Sequence, residues 1–234
     1  MKPLLCISHE PSVSPGIASD VFDEAGVPFE VMQAWEASHW PDPEDIPGVV
    51  VLGGEMNADD VANFPFLEQV RGFTEAVTRR GAPVLGICLG AQILAIVLGG
   101  SVRKSERVEL GFGSLDATDE GRSDPVLGGF GDGVDVFQWH EDTFSLPPES
   151  SLLLSGGGFN QAFRWGEKCY ATQFHFEVTE RDVAAWVEAT PPDRLSDYWG
   201  WSPDDLLEEV RSKLPAQQDA GRAAFRRWSD LVVS

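Results

Sequence analysis

Positive charge is the scarcest feature of this sequence. Its 234 residues carry 17 lysines and arginines against 38 aspartates and glutamates, a formal net charge of −21. A field of that sign repels phosphate backbones and anionic lipid, which argues against nucleic acid or a membrane as partner. Cysteine is also sparse. Cys6, Cys88 and Cys169 are odd in number, widely spaced and without a C-x-x-C pair, so neither a disulfide framework nor a zinc site is expected. No apolar run approaches the roughly 20 residues that would span a bilayer. The first eight residues lack the apolar core and small-residue cleavage site of a leader. A reduced, cytoplasmic setting is therefore expected. With no phosphate-binding loop and no acidic metal cluster in the sequence, neither a cofactor nor a metal is expected.

What is present reads as one globular α/β unit, with 42% hydrophobic residues and enough length to bury a full core. Leu4 to Ser8, Phe29 to Met32 and Val49 to Leu52 are strand candidates, and the last ends in Gly53-Gly54. Gly16 to Ala25 and Phe66 to Arg80 suit helices, the second closed by Gly81. A further strand, Ala82 to Ile87, precedes a helix beginning at Leu89. This alternation predicts a doubly wound, mostly parallel sheet whose sites lie at the carboxyl ends of its strands. After Gly100 the pattern changes. Val108 to Leu115, Val134 to Trp139, Ser151 to Ser155, Gln161 to Trp165 and Cys169 to Phe176 predict an added antiparallel portion. A helix follows from Glu180 to Ala189. Residues 1–190 form the expected main domain. Pro191-Pro192 marks the start of a helical extension of the same domain, 191–234, with Ser202, Pro203 and Asp205 as an N-terminal cap signal.

Cys88 stands where the fourth strand turns into its helix, in Gly86-Ile87-Cys88-Leu89-Gly90-Ala91-Gln92. A helix N-terminus offers free N–H groups and a positive dipole end, which favour a thiolate. Glycines on both sides allow the sharp turn of a nucleophile elbow. The alternative is an inert buried cysteine, as expected of Cys6 and Cys169. A nucleophile needs a base and an orienter. In Gln173-Phe174-His175-Phe176-Glu177, extended backbone would put His175 and Glu177 on one face, where Glu177 can hold the ring. His140 is open to a supporting role or to plain structural bonding. His9 and His39 read as exposed turn residues.

Taken together, these segments resemble the class I glutamine amidotransferases, which use a Cys-His-Glu triad, and are similar to the glutaminase domain of GMP synthase. The likeness rests on Val51 to Asn57, Pro83 to Gln92, Glu109 to Phe112, Trp139 to Pro147, Asn160 to Arg164 and Gln173 to Thr179. It implies a flavodoxin-like sheet and the side-chain amide of glutamine, or another γ-glutamyl compound, as substrate. Cys88 would form a γ-glutamyl thioester, with His175 as acid and base and Glu177 as its support. The resemblance also implies oxyanion contacts from Leu89 and the Gly53-Gly54 turn, and substrate contacts from Gln92, Leu110, Gly111 and Phe112. One departure stands out: Phe176 replaces the family's usual proline, and restoring it with Phe176→Pro is expected to be harmless or stabilising.

No synthetase domain is visible in the sequence. The expected function is that of a stand-alone γ-glutamyl amide hydrolase. The alternatives are a glutaminase subunit that passes ammonia to a separate synthetase, or a catalytically silent binding module. Trp186, Trp199, Trp201 and Trp228 are expected to cover the core, and a homo-oligomeric contact through the tail aromatics stays open.

Overall fold

A computed structural model describes residues 2–131 and 133–233. Its centre is an eight-stranded sheet in the order β2-β1-β3-β4-β10-β9-β8-β6. β1 (Leu4–Ser8), β2 (Phe29–Gln33), β3 (Val49–Val51), β4 (Val84–Ile87) and β10 (Cys169–Thr172) run parallel. β9 (Phe159–Trp165), β8 (Ser150–Gly156) and the short β6 (Asp116–Ala117) extend it antiparallel. β1, β3, β4 and β10 are buried along their whole length, which is why their sequences are apolar without alternation, apart from Ser8 and Thr172 at two carboxyl ends.

Helices cover both faces. α2 (Phe66–Arg79) and α3 (Leu89–Val97) enclose one core with Val49, Val51, Val84 and Phe163. α1 (Ile17–Ala25) and the long α6 (Pro203–Val233) enclose the other, where Phe22, Phe225 and Trp228 meet Val50, Leu85 and Phe176. α4 (Asp119–Ser123) and α5 (Glu180–Ala189) complete the set, α5 with a capping box between Thr179 and Asp182. Among the described residues, no helix is long and apolar enough to cross a membrane.

The strands depart from the sequence expectations in two places. First, the two strands after Gly100 are longer than expected. β5 (Val102–Gly113) and β7 (Val136–Phe144) pair with each other in a ribbon outside the main sheet. Second, the strand expected over Cys169 to Phe176 ends at Thr172, and residues 173–177 follow as bends. The C-terminal helix packs on the sheet, with Phe225 and Trp228 of α6 fully buried in a principal core. The tail tryptophans Trp199 and Trp228 are buried, and Trp201 is partly exposed. Trp199 is buried beside Leu195 and Val210, and the Trp201 indole N–H donates to the Leu110 carbonyl at 3.0 Å. The α6 start is as expected, with Ser202 Oγ accepting from the Asp205 N–H.

Candidate active site

The turn from β4 to α3 places Cys88 at φ 52° and ψ −106°, a conformation that non-glycine residues rarely adopt. Two close approaches hold it there. A side chain at Gly90 would run into the Val51 carbonyl, and a Cβ at Gly86 would sit 2.5 Å from the Gly90 oxygen. The Cys88 N–H donates to Thr172 O at 2.8 Å, tying the elbow to the end of β10. The geometry is that of a nucleophile elbow, with backbone strain of order 1–3 kcal/mol retained by the packing.

His175 is buried, and its Nδ1 lies 2.7 Å from Glu177 Oε1. The pair meets across bends rather than along a strand, because the backbone of this segment is anchored group by group. His175 N–H donates to Phe137 O, Ile17 N–H to Glu177 O, and Gln173 N–H to Gln161 O. Burial alone would push the imidazole down. The Glu177 carboxylate, and then Cys88 through its charge and a hydrogen bond, override this and hold His175 well above the ordinary histidine value. The Trp186 ring stands edge-on to His175 at 5.0 Å and shields the pair from water.

The Gly53-Gly54 turn at the end of β3 lies against both groups. A Cβ on Gly53 would sit 3.0 Å from the His175 ring and 3.8 Å from the Cys88 Cβ, and one on Gly54 would sit 2.9 Å from the Leu89 side chain. Only glycine leaves that space open. His9, expected as an exposed turn residue, is instead buried, with Nδ1 2.9 Å from the Gly53 carbonyl. Burial lowers its pKa to about 4, so the neutral ring donates to that carbonyl and steadies the turn. The sequence signal was its place directly after β1 in a chain whose sites sit at strand ends, but the nearby prolines obscured it.

A cavity of about 370 Å³ opens over Cys88, lined by Gly54, Leu89, Gln92, His140, His175 and Trp186, among others. Gln92 is buried and its amide reaches Asp142 O at 3.3 Å and Gln173 Oε1 at 3.4 Å, while Gln173 donates to Cys88 Sγ at 3.7 Å. His140 bridges the ribbon from within, with Nδ1 3.0 Å from Asp142 O and Nε2 3.0 Å from Glu109. Thr190, Pro191, Arg194 and Trp199 bring the region after α5 into the same wall. Leu110, Gly111 and Phe112, expected at the substrate, are not among the residues that line the cavity, although Leu110 pairs with Trp139, which does. Gly111 has φ 93° and a Cβ there would meet Trp201 at 2.6 Å, while the Phe112 N–H donates to Glu209 of α6.

Glu10 also lines the cavity, half-buried beside Glu55. Burial, and then the Glu55 charge, push its carboxyl up to about 7 from an ordinary 4.5. A carboxyl raised in the folded state holds its proton there while the unfolded chain has released it. Its contribution to stability is therefore present below about pH 4.5 and is lost as pH rises through 7. Glu10→Gln is expected to leave the melting temperature unchanged at pH 4 and to raise stability at pH 8 by about 1–2 kcal/mol, after allowing for solvent screening. Equal melting shifts at both pH values in thermal scans would contradict this.

A doubly wound sheet that turns a strained cysteine toward a buried histidine–glutamate pair has the parts needed for cysteine-based acyl transfer. The chain belongs to the class-I glutamine amidotransferase family, whose model matches residues 18–186. A solved glutamine amidotransferase from Thermotoga maritima superposes with a TM-score of 0.86 at 30% identity, over 99% of this chain and 98% of that one. Among curated proteins, the putative glutamine amidotransferase-like protein YfeJ of Salmonella typhimurium is 28% identical over 63% of this chain and 64% of its own length. One subunit of the glutamine-hydrolyzing GMP synthase of Methanoculleus marisnigri is 34% identical over 56% of this chain and 65% of its own. The chain thus spans just under two thirds of the length of these two curated relatives.

Proposed function

We propose that this protein hydrolyses the side-chain amide of glutamine or a γ-glutamyl compound through a thioester on Cys88. The observation that carries this reading is the strained Cys88 elbow in a cavity shared with a histidine bonded 2.7 Å from Glu177. Cys88 Sγ attacks the amide carbonyl carbon while the shared proton rests on His175 Nε2, the nitrogen that Glu177 leaves free. The oxyanion that forms is held by the N–H groups of Leu89 and Gly54. His175 then gives the proton to the departing nitrogen, the C–N bond breaks and the γ-glutamyl thioester remains. Water attacks the thioester as His175 takes its proton. The C–S bond breaks, glutamate is released and the Cys88–His175 pair, with its one shared proton, is restored. Glu177 fixes the ring and balances its charge at both steps, and acid–base help of this type is worth roughly 10²–10⁴-fold.

Residues 190–199 close one wall of the cavity, which supports turnover by this chain alone. Likeness to a GMP synthase subunit favours a second reading, in which ammonia passes to a separate synthetase. The purified protein, incubated with glutamine and a panel of γ-glutamyl peptides, is expected to release glutamate and amine unaided. Silence alone followed by glutaminase activity on adding a co-purifying synthetase would favour the second reading. Silence under both conditions would favour a binding module.

A further inference from the structure

The bend that carries His175 and Glu177 has no strand or helix to fix it, so its carbonyls must find partners elsewhere. The Glu177 carbonyl is taken by the Ile17 N–H. Those of His175 and Val178 are taken by α6. Gln217 Nε2 donates to His175 O at 3.0 Å, and Gln218 Nε2 donates to Val178 O at 3.1 Å. Gln217 is fully buried, and both ends of its amide are in use, since its Oε1 accepts from the Phe137 N–H at 2.5 Å. Phe137 O in turn accepts from the His175 N–H. The three residues form a closed ring of hydrogen bonds: Phe137 N–H to Gln217, Gln217 to His175 O, and His175 N–H to Phe137 O. Gly221, one turn further along α6, permits the approach, because a Cβ there would lie 2.8 Å from Phe176 O.

We infer that Gln217 is a positioning residue that sets the height and tilt of the His175 ring over Cys88 by holding the His175 main chain against β7. The inference rests on the reading of His175 as the acid–base group. Gln217 does not itself line the cavity and acts through the backbone of its neighbour. An amide suits the place, since it offers a donor to a carbonyl and an acceptor to an N–H at one point without carrying charge. A leucine of similar volume would leave both backbone groups unpaired. A carboxyl would satisfy both when protonated, and would set a negative charge against the His175 carbonyl when ionised.

The test compares Gln217→Leu and Gln217→Glu with the unaltered protein, reading kcat and KM for a γ-glutamyl substrate and the alkylation rate of Cys88 by iodoacetamide from pH 5.5 to 8.5. Gln217→Leu is expected to lower kcat about 10–100-fold with KM within about twofold, the scale of a catalytic group displaced by less than an ångström. The activity of Gln217→Glu relative to the unaltered protein is expected to recover as pH falls, while that of Gln217→Leu stays flat. The Cys88 alkylation profile is expected to move in both variants. A folded Gln217→Leu with unchanged kcat and alkylation profile would overturn the inference. If Gln217→Leu fails to fold, Gln217→Glu decides: a pH profile that parallels the unaltered protein would equally overturn it. If the unaltered protein turns over no γ-glutamyl compound, the reading of function fails by itself. The alkylation profile still tests Gln217, because it needs only the thiol and the imidazole.

Discussion

Cys88→Ala is expected to lower γ-glutamyl hydrolysis by at least about 10⁴-fold, since both chemical steps pass through the sulfur and the remaining groups can only assist water. The loss should come without unfolding. Alanine keeps the Cβ and with it the strained backbone at φ 52°. Cys88→Gly supplies a second, opposite readout. It is equally inactive, but glycine adopts this conformation freely, so relief of the strain is expected to exceed its greater unfolded-state entropy by about 1 kcal/mol. A glutamine-analogue electrophile should label Cys88 alone. Cys6 is fully buried with its thiol pushed far up, and burial pushes Cys169 up to about 11. Labelling of all three thiols at similar rates, or turnover surviving in Cys88→Ala, would remove Cys88 from the mechanism.

The sequence disclosed some parts of this arrangement and hid others for identifiable reasons. The buried parallel strands were readable because Val49-Val50-Val51 and its neighbours bury both faces, so the apolar run is the signal itself. The elbow was readable because Gly86 and Gly90 are required by backbone contacts local to the turn. The β5–β7 ribbon was underestimated because Arg103, Lys104 and Glu106 face solvent, and a ribbon held by backbone pairing needs no apolar alternation. The approach of His175 to Glu177 was expected from extended backbone. The structure brings them together across bends, held by partners as remote as Ile17 and Gln217, which no local pattern can announce. The same holds for Leu110 to Phe112: their segment is marked by family likeness, and its bonds to Trp201 and Glu209, more than 90 residues away, have no local signal.

Phe176 shows how far such long-range contacts change an expectation. Taken as a loop position that has merely lost a proline, Phe176→Pro should stiffen the turn and be harmless. In the structure Phe176 is buried, stacked on Phe225 of α6 with ring centres 4.5 Å apart, and set edge-on to Phe130 at 5.5 Å. Phe176→Pro is therefore expected to destabilise. Removing the ring leaves a cavity between α6 and the sheet, and Phe→Ala changes in such places cost about 3–5 kcal/mol. That is a large part of the roughly 5–15 kcal/mol that holds an average domain together. Any gain from proline through the unfolded state is about 0.4–1 kcal/mol, too small to reverse the sign. Urea unfolding of Phe176→Pro, Phe176→Ala and Phe176→Leu separates the two effects. Leucine keeps most of the volume and should cost well under the alanine variant, while proline and alanine should fall within about 1 kcal/mol of each other. A double-mutant cycle with Phe225→Ala should return a coupling of about 0.5–1.5 kcal/mol for the stacked pair. A Phe176→Pro protein as stable as the unaltered one would show that the turn's stiffness, and not its packing on α6, governs this position.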